Sequence, residues 1–157
     1  MIIEKAVLSD AEELLALQKL SFISQAELYN DYELLPLVQT IEQLREDFSR
    51  LYFLKAVEDG KIVGSVRSHT EDGVCMIMRL YVHPECQKSG IGSALMREIE
   101  RVNSSSRIFT LFTGYKSIEN IRLYEKLGYT IQKTKESPDG DDIHLVYMQK
   151  LNIRIDE

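Results

Sequence analysis

The chain has 157 residues, of which 44% are hydrophobic and 28% charged, the balance of one globular domain with enough apolar mass for a core. Its 25 acidic and 19 basic side chains leave a formal net charge of -6, which argues against a nucleic-acid partner, since a phosphate-backbone binder needs a basic face. No apolar run approaches the ~18 residues of a membrane span, so no membrane partner is expected.

Met1-Ile2-Ile3-Glu4 lacks the basic-then-apolar order of a secretion signal, which predicts a cytoplasmic protein whose Cys75 and Cys86 are free thiols. No repeat, low-complexity tract or linker interrupts residues 1–157, so a single domain is expected.

Ile2 to Ala6 predicts an opening strand. Ser9-Asp10 offers N-cap chemistry to an amphipathic helix carrying Leu14, Leu15, Leu17 and Leu20. Phe22 to Gln39 mixes aromatic residues, acids and Pro36, and predicts irregular or short helical structure. Thr40 is the expected N-cap of a second helix running through Phe48. Three strands follow: Tyr52 to Val57, Ile62 to Ser68 and Val74 to Val82. Asp59-Gly60 and Asp72-Gly73 are the turns between them.

The third of these strands is apolar on both faces. Strict alternation puts Val74, Met76, Met78, Leu80 and Val82 on one face and Cys75, Ile77 and Tyr81 on the other, as expected of a central, doubly covered strand. Pro84 ends it. Ile91, Ala94, Leu95, Ile99 and Val102 keep helical spacing. Ile108 to Phe112 reads as a strand. Ser117 is the expected cap of a last helix that runs to Leu127 and stops at Gly128. Tyr129 to Lys133 and Ile143 to Met148 close the chain as strands around Pro138-Asp139-Gly140. The element order predicts a mixed α+β sheet with a parallel crossover in its second half.

The chemistry concentrates where the third strand gives way to a helix across Gln87-Lys88-Ser89-Gly90-Ile91-Gly92. A helix start leaves backbone N–H groups without partners and carries a positive dipole end. Glycines let a phosphate approach those groups. Lys88 adds a positive charge and Ser93 a hydroxyl, so the loop can cradle a pyrophosphate. The alternative is that the glycine pair merely begins a helix. Neither rival phosphate motif fits. The third glycine of G-x-G-x-x-G is absent, and so is G-x-x-x-x-G-K-[ST].

Val82-His83-Pro84, then Gln87 to Gly92, then an amphipathic helix, resembles the acetyl-coenzyme A motif of the GNAT superfamily of N-acetyltransferases, [RQ]-x-x-G-x-[GA]. Asn120-Ile121-Arg122-Leu123-Tyr124-Glu125-Lys126-Leu127-Gly128-Tyr129 is similar to that family's later helix, N-x-x-x-Y-x-[KR]-x-G-[FY]. The resemblance implies a mixed, mostly antiparallel central sheet flanked by helices on both faces. It implies acetyl-coenzyme A as acyl donor, with no metal. His69, His83 and His144 show no ligand spacing, and the run Asp139-Gly140-Asp141-Asp142 lacks the calcium-loop pattern.

By this resemblance, backbone groups of Leu80, Tyr81 and Val82 would pair with the pantetheine arm. Amides of Gln87, Lys88, Ser89, Gly90, Ile91, Gly92 and Ser93 would hold the pyrophosphate. Asn120 would hydrogen-bond the pantetheine, and Tyr124 would sit beside the sulfur and protonate the leaving thiolate. The expected acceptor is a primary amine of a small molecule or peptide, and a homodimer is common among similar proteins. The strand Val74 to Val82 holds no carboxylate where many relatives carry a glutamate; Met76, Met78 and Arg79 stand there. Glu27, Tyr29 and Asp31 are the candidate acceptor-pocket residues, with Glu27 or Asp31 as base. A water chain without a dedicated base serves equally. A non-catalytic acyl-coenzyme A sensor of the same fold is the alternative to an enzyme.

Overall fold

The computed structural model describes residues 1–136 and 144–153, so Pro138-Asp139-Gly140, the acidic run Asp139 to Asp142 and Ile143 lie outside the described residues. The first strand, β1 (Ile2–Lys5), is followed by a 3-10 turn at Leu8–Asp10. There Asp10 accepts the Val7 N–H at 2.8 Å and pairs with Lys55 Nζ at 2.9 Å. The cap therefore closes one turn earlier than expected, and α1 (Ala11–Tyr29) starts behind it.

Helix α1 runs 19 residues, through the stretch from Phe22 that the sequence left irregular. Packing overrides the mixed composition there. Ser21 and Ala26 are buried, and Phe22 meets Tyr81 edge-on at 5.9 Å between ring centroids. The helix ends at Asn30, whose left-handed φ of 51° lets its N–H close on Ala26 and Glu27 carbonyls. Only the single turn α2 (Leu35–Val38), with Pro36 in its first turn, keeps the expected short form. Helix α3 (Ile41–Asp47) opens with a capping box: Gln43 N–H donates to Thr40 Oγ1 at 3.2 Å, and Thr40 N–H donates to Gln43 Oε1 at 3.0 Å.

Strands β2 (Tyr52–Glu58), β3 (Lys61–Glu71) and β4 (Val74–Val82) form the hairpins. Both turns take positive φ at both central residues: 51° and 77° at Asp59-Gly60, and 52° and 79° at Asp72-Gly73. That twist matches the twist of paired strands. Helix α4 (Ile91–Val102), strand β5 (Ile108–Gly114), helix α5 (Ile118–Lys126) and strands β6 (Thr130–Glu136) and β7 (His144–Leu151) complete the described chain. Gly128, at φ 102°, stops α5 as expected. Ser117 does not cap α5 with its side chain, because its hydroxyl is engaged elsewhere.

The strands make one seven-stranded sheet in the order β1-β2-β3-β4-β5-β7-β6. Among the described residues, only β4 and β5 pair in parallel; the other five ladders are antiparallel. The mixed, mostly antiparallel sheet with helices on both faces is the α+β architecture expected. One face packs on α4 and α5 through Ile77, Leu95, Ile99, Phe109 and Ile121. The other packs on α1 and α3 through Leu14, Leu17, Leu44, Phe53 and Tyr81.

Strand β4 does not alternate as the sequence suggests. Its ladder with β3 slips between Ser65–Tyr81 and Arg67–Met78, so Val66 stands opposite both Arg79 and Leu80. Arg79 absorbs the extra residue with a φ of 56°, a rare conformation for a side chain that is not glycine. The bulge swaps the faces beyond it. Leu80 and Val82 join the α4 side with Cys75 and Ile77, while Tyr81 turns to α1, where its hydroxyl donates to the Leu14 carbonyl at 3.2 Å.

Candidate active site

Below the bulge, β4 and β5 pair from Val74–Ile108 to Met76–Thr110 and no further. Strand β5 continues to Gly114 on its other partner, β7. The upper halves of β4 and β5 therefore part, and a cleft of about 820 Å³ opens there. Its walls are Leu80 to Val82 of β4, the loop before α4 and the start of that helix, one side of α5 from Ile118 to Lys126, and the α1 side chains Ser21, Phe22, Ser24, Gln25 and Leu28.

The loop before α4 is built to keep side chains out of this space. Lys88 and Gly90 take φ of 63° and 87°. Gln87 Nε2 donates to the Val82 carbonyl at 3.2 Å, and Ser89 Oγ donates to the Cys86 carbonyl. The first helical bond of α4 runs from Ala94 N–H to Gly90 O at 3.0 Å. The N–H groups of Ile91, Gly92 and Ser93 precede that bond and lack an i-4 carbonyl inside the helix. A Cβ on Gly92 would stand 3.5 Å from Leu123 and 3.9 Å from both Leu80 and Val82, so a larger side chain would fill the cleft floor. Free N–H groups, a helix dipole, Lys88 and this bare floor suit a pyrophosphate-bearing ligand.

Asn120 lines the cleft, half-buried, on α5. Tyr124, one turn on, does not line the cleft: it is 7% exposed and belongs to the core beneath it, with its ring edge-on to Tyr129 at 6.1 Å. Burial pushes its phenol pKa well above the usual tyrosine range, so the hydroxyl keeps its proton. Among the described residues that hydroxyl takes no hydrogen bond.

The three candidate acceptor-pocket residues do not line the cleft. Glu27 is exposed on α1. Asp31 accepts the Glu33 N–H at 2.9 Å in the turn after α1. Tyr29 instead ties α1 to the loop before α5: its hydroxyl is 2.8 Å from Ser117 Oγ and accepts the Lys116 N–H at 3.0 Å.

A second cavity, about 550 Å³, lies beside the bulge and was not legible in the sequence. Arg50, Arg67, Arg79, His69, Asp47 and Met78 line it. Arg67 is 1% exposed, with its guanidinium 4.5 Å above the Phe53 ring. Its Nη2 donates to Gln18 Oε1 at 2.5 Å, and Nη1 stands 3.5 Å from Asp47 Oδ2. Burial lowers its pKa to about 10, so it stays cationic at neutral pH. Gln39 completes the network, accepting from Gln18 at 3.0 Å and Arg79 at 3.2 Å and donating to Asp47 at 2.8 Å. These partners lie 18 to 49 residues apart in sequence wherever they join α1 to the strands and α2, so no local pattern announces them.

Residues 11–129 match the model of the acetyltransferase (GNAT) family. The chain belongs to that family. It therefore carries an acyl-coenzyme A-dependent acetyltransferase domain. Among curated proteins, it is 29% identical over 107 residues to an uncharacterized N-acetyltransferase, MJ1530, of Methanocaldococcus jannaschii, covering 65% of this chain and 69% of that one. It is 24% identical over 146 residues to the UPF0157 protein YqkA of Bacillus subtilis. That match covers 91% of this chain, which spans only 42% of the Bacillus protein's length. The fold superposes on the PaiA N-acetyltransferase of Thermoplasma acidophilum, solved in complex with coenzyme A, with a TM-score of 0.82 at 19% identity, covering 96% of this chain and 99% of that one.

Proposed function

We propose that the chain moves an acetyl group from acetyl-coenzyme A to a primary amine of a small molecule or peptide, by direct attack of the amine. The observation that carries this reading is the bare, positively polarised start of α4, set on the cleft between the parted strands. Acetyl-coenzyme A supplies the acyl thioester; the chain supplies position, polarity and protons. Amides from Gln87 to Ser93 bind the pyrophosphate, with Lys88 beside them. Backbone groups of Leu80 to Val82, together with Asn120, hold the pantetheine. A β-bulge leaves a backbone group unpaired, so the Arg79–Leu80 step offers a donor for the thioester oxygen.

A C–N bond forms and the C–S bond breaks. An ammonium acceptor first loses one proton to water, and the second N–H proton leaves as the amide forms. Tyr124 gives its hydroxyl proton to the leaving thiolate and is reprotonated by the proton that the nitrogen sheds. Neither Glu27 nor Asp31 lines the cleft, which favours proton loss through water over a dedicated carboxylate.

Thermal unfolding with acetyl-coenzyme A, free coenzyme A, ADP and NAD in turn tests the reading. A ligand at about 100 times its dissociation constant adds about 2.7 kcal/mol. Stabilisation by acetyl-coenzyme A, with far less from ADP or NAD, and release of free thiol when amines are added, is the expected result. No shift at millimolar acetyl-coenzyme A would refute it.

Two observations favour the non-catalytic alternative, an acyl-coenzyme A sensor. Tyr124 is 7% exposed and does not line the cleft, and β4 holds no carboxylate. Ligand-induced stabilisation without thiol release across a broad amine panel would select the sensor.

A further inference from the structure

The cleft has a charge opposite to that of the chain. Among the described residues, Lys88, Lys116, Arg122 and Lys126 line it with one carboxylate, Glu119, in a protein with a net charge of -6. Lys116 is engaged, since its Nζ lies 6.0 Å from the centroid of the Tyr29 ring and 5.7 Å from that of Tyr115. The side chains of Lys88, Arg122 and Lys126 are exposed and make no ion pair or hydrogen bond with Glu119 or any other described residue. Like charges gathered in a cleft repel one another, and a bound polyanion relieves that repulsion.

The order of residues along α5 gives the charge a use. Arg122 and Lys126 are four apart on the helix, so they share one face. Leu123, next to Arg122, is the side chain that a Cβ on Gly92 would meet at 3.5 Å, which sets the middle of α5 beside the cradle. Asn120, Leu123 and Lys126 all line the cleft, at three-residue steps of about 4.5 Å each. Coenzyme A has a matching covalent order: pantetheine, pyrophosphate, then a ribose bearing a 3'-phosphate. With the pantetheine at Asn120 and the pyrophosphate at the cradle, the ribose falls on the side of Lys126. A pyrophosphate link suits backbone amides. A phosphate monoester carries a charge of about -1.5 to -2 at neutral pH, and full cations hold it best.

We propose that Arg122 and Lys126 form a subsite for the 3'-phosphate of coenzyme A, through which the chain selects coenzyme A over its dephosphorylated form. This rests on the acyl-coenzyme A reading above. Lys88, in the loop before α4, stays with the pyrophosphate.

Calorimetry on the full chain tests the subsite with two probes, coenzyme A and 3'-dephospho-coenzyme A. The variants are Arg122→Gln, Lys126→Gln and the two together. Both side chains are exposed and unpaired, so all three variants should unfold at the temperature of the unaltered chain. Arg97→Gln, exposed on α4 outside the cleft lining, removes the same charge elsewhere.

Coenzyme A should bind about tenfold or more tightly than the dephospho form. Each single variant should narrow that ratio and the double variant should bring it close to one, while affinity for the dephospho form holds. Arg97→Gln should leave the ratio alone. Equal affinity of the unaltered chain for both probes would overturn the proposal. So would an equal loss for both probes in the double variant, which would give the two cations to the pyrophosphate, or a ratio that Arg97→Gln narrows as much as they do. Those outcomes leave the acyl-coenzyme A reading standing, whereas failure of both probes to bind would overturn that reading and the subsite with it.

Discussion

The Tyr29 hydroxyl lies 2.8 Å from Ser117 Oγ, and so joins the last turn of α1 to the residue before α5, beside the cleft. Ser117 in turn donates to Gln25 Oε1 at 2.7 Å, which leaves the phenol as the donor to Ser117. Gly114 makes this approach possible, because a Cβ there would collide with the Tyr29 ring and hydroxyl. Burial raises the phenol's pKa, so the donor proton is held at neutral pH. Tyr29→Phe removes one hydroxyl and strands two partners, at a cost of about 1–2 kcal/mol in urea unfolding. It should also raise the KM for acetyl-coenzyme A, since Asn120 sits on the helix this contact anchors. An unchanged KM would mean that the tie serves folding alone.

The two loop glycines should fail in different ways. Gly90→Ala places a side chain at φ 87°, with open space around the Cβ, so it strains the backbone by about 1–2 kcal/mol without blocking the cleft. Gly92→Val lies inside a helix at ordinary φ but projects toward Leu123, Leu80 and Val82. Calorimetry with coenzyme A should find the second variant folded and at least about tenfold weaker in binding, as expected when a bare phosphate cradle is filled.

Tyr124→Phe isolates the proposed acid. The ring stays against Tyr129 and the lost hydroxyl has no hydrogen-bond partner among the described residues, so stability should hold or rise slightly. Thiol release should fall by about 100-fold, the lower range for a general acid, at constant coenzyme A affinity. Undiminished turnover would remove Tyr124 from the chemistry.

Alkaline pH should unfold the protein through its tyrosines. Burial raises the phenol pKa of Tyr29, Tyr81, Tyr124 and Tyr129 above the ordinary value of 10. The folded state then binds more protons than the unfolded state above pH 10, so stability is full below that value and falls as pH rises beyond it. Tyr129 is held twice, since its hydroxyl donates to Glu100 Oε2 at 2.8 Å. Ultraviolet titration should show the three buried phenols, Tyr81, Tyr124 and Tyr129, ionising only as the fold is lost.

Local chemistry carried the frame of the molecule. Asp59-Gly60 and Asp72-Gly73 can reach left-handed torsions cheaply, so the hairpins were written in four residues. The Thr40–Gln43 capping box, the Gly128 stop and the glycine loop before α4 are likewise short-range devices, each legible where it stands. The helical spacing of Ile91, Leu95 and Ile99 told which face of α4 would be buried, and all three are.

Only the tertiary structure decided where β4 turns over. Arg79 adopts a φ of 56° because its pairing with β3 demands an extra residue, and nothing in an arginine's own preferences signals this. Period-two reading therefore put Leu80 and Val82 on the wrong face, and with them the wall of the cleft. Helix α1 outran its composition for the same reason, since its last turns are held by Tyr81, Ser117 and Lys116 rather than by their own spacing. The Arg67 cluster draws on α1, α3, β3 and the chain between α2 and α3. Sequence determines what each residue can donate, accept or bury locally. Which distant partners meet, and hence which charges share a cavity, is set by the register of strands and the packing of helices upon them.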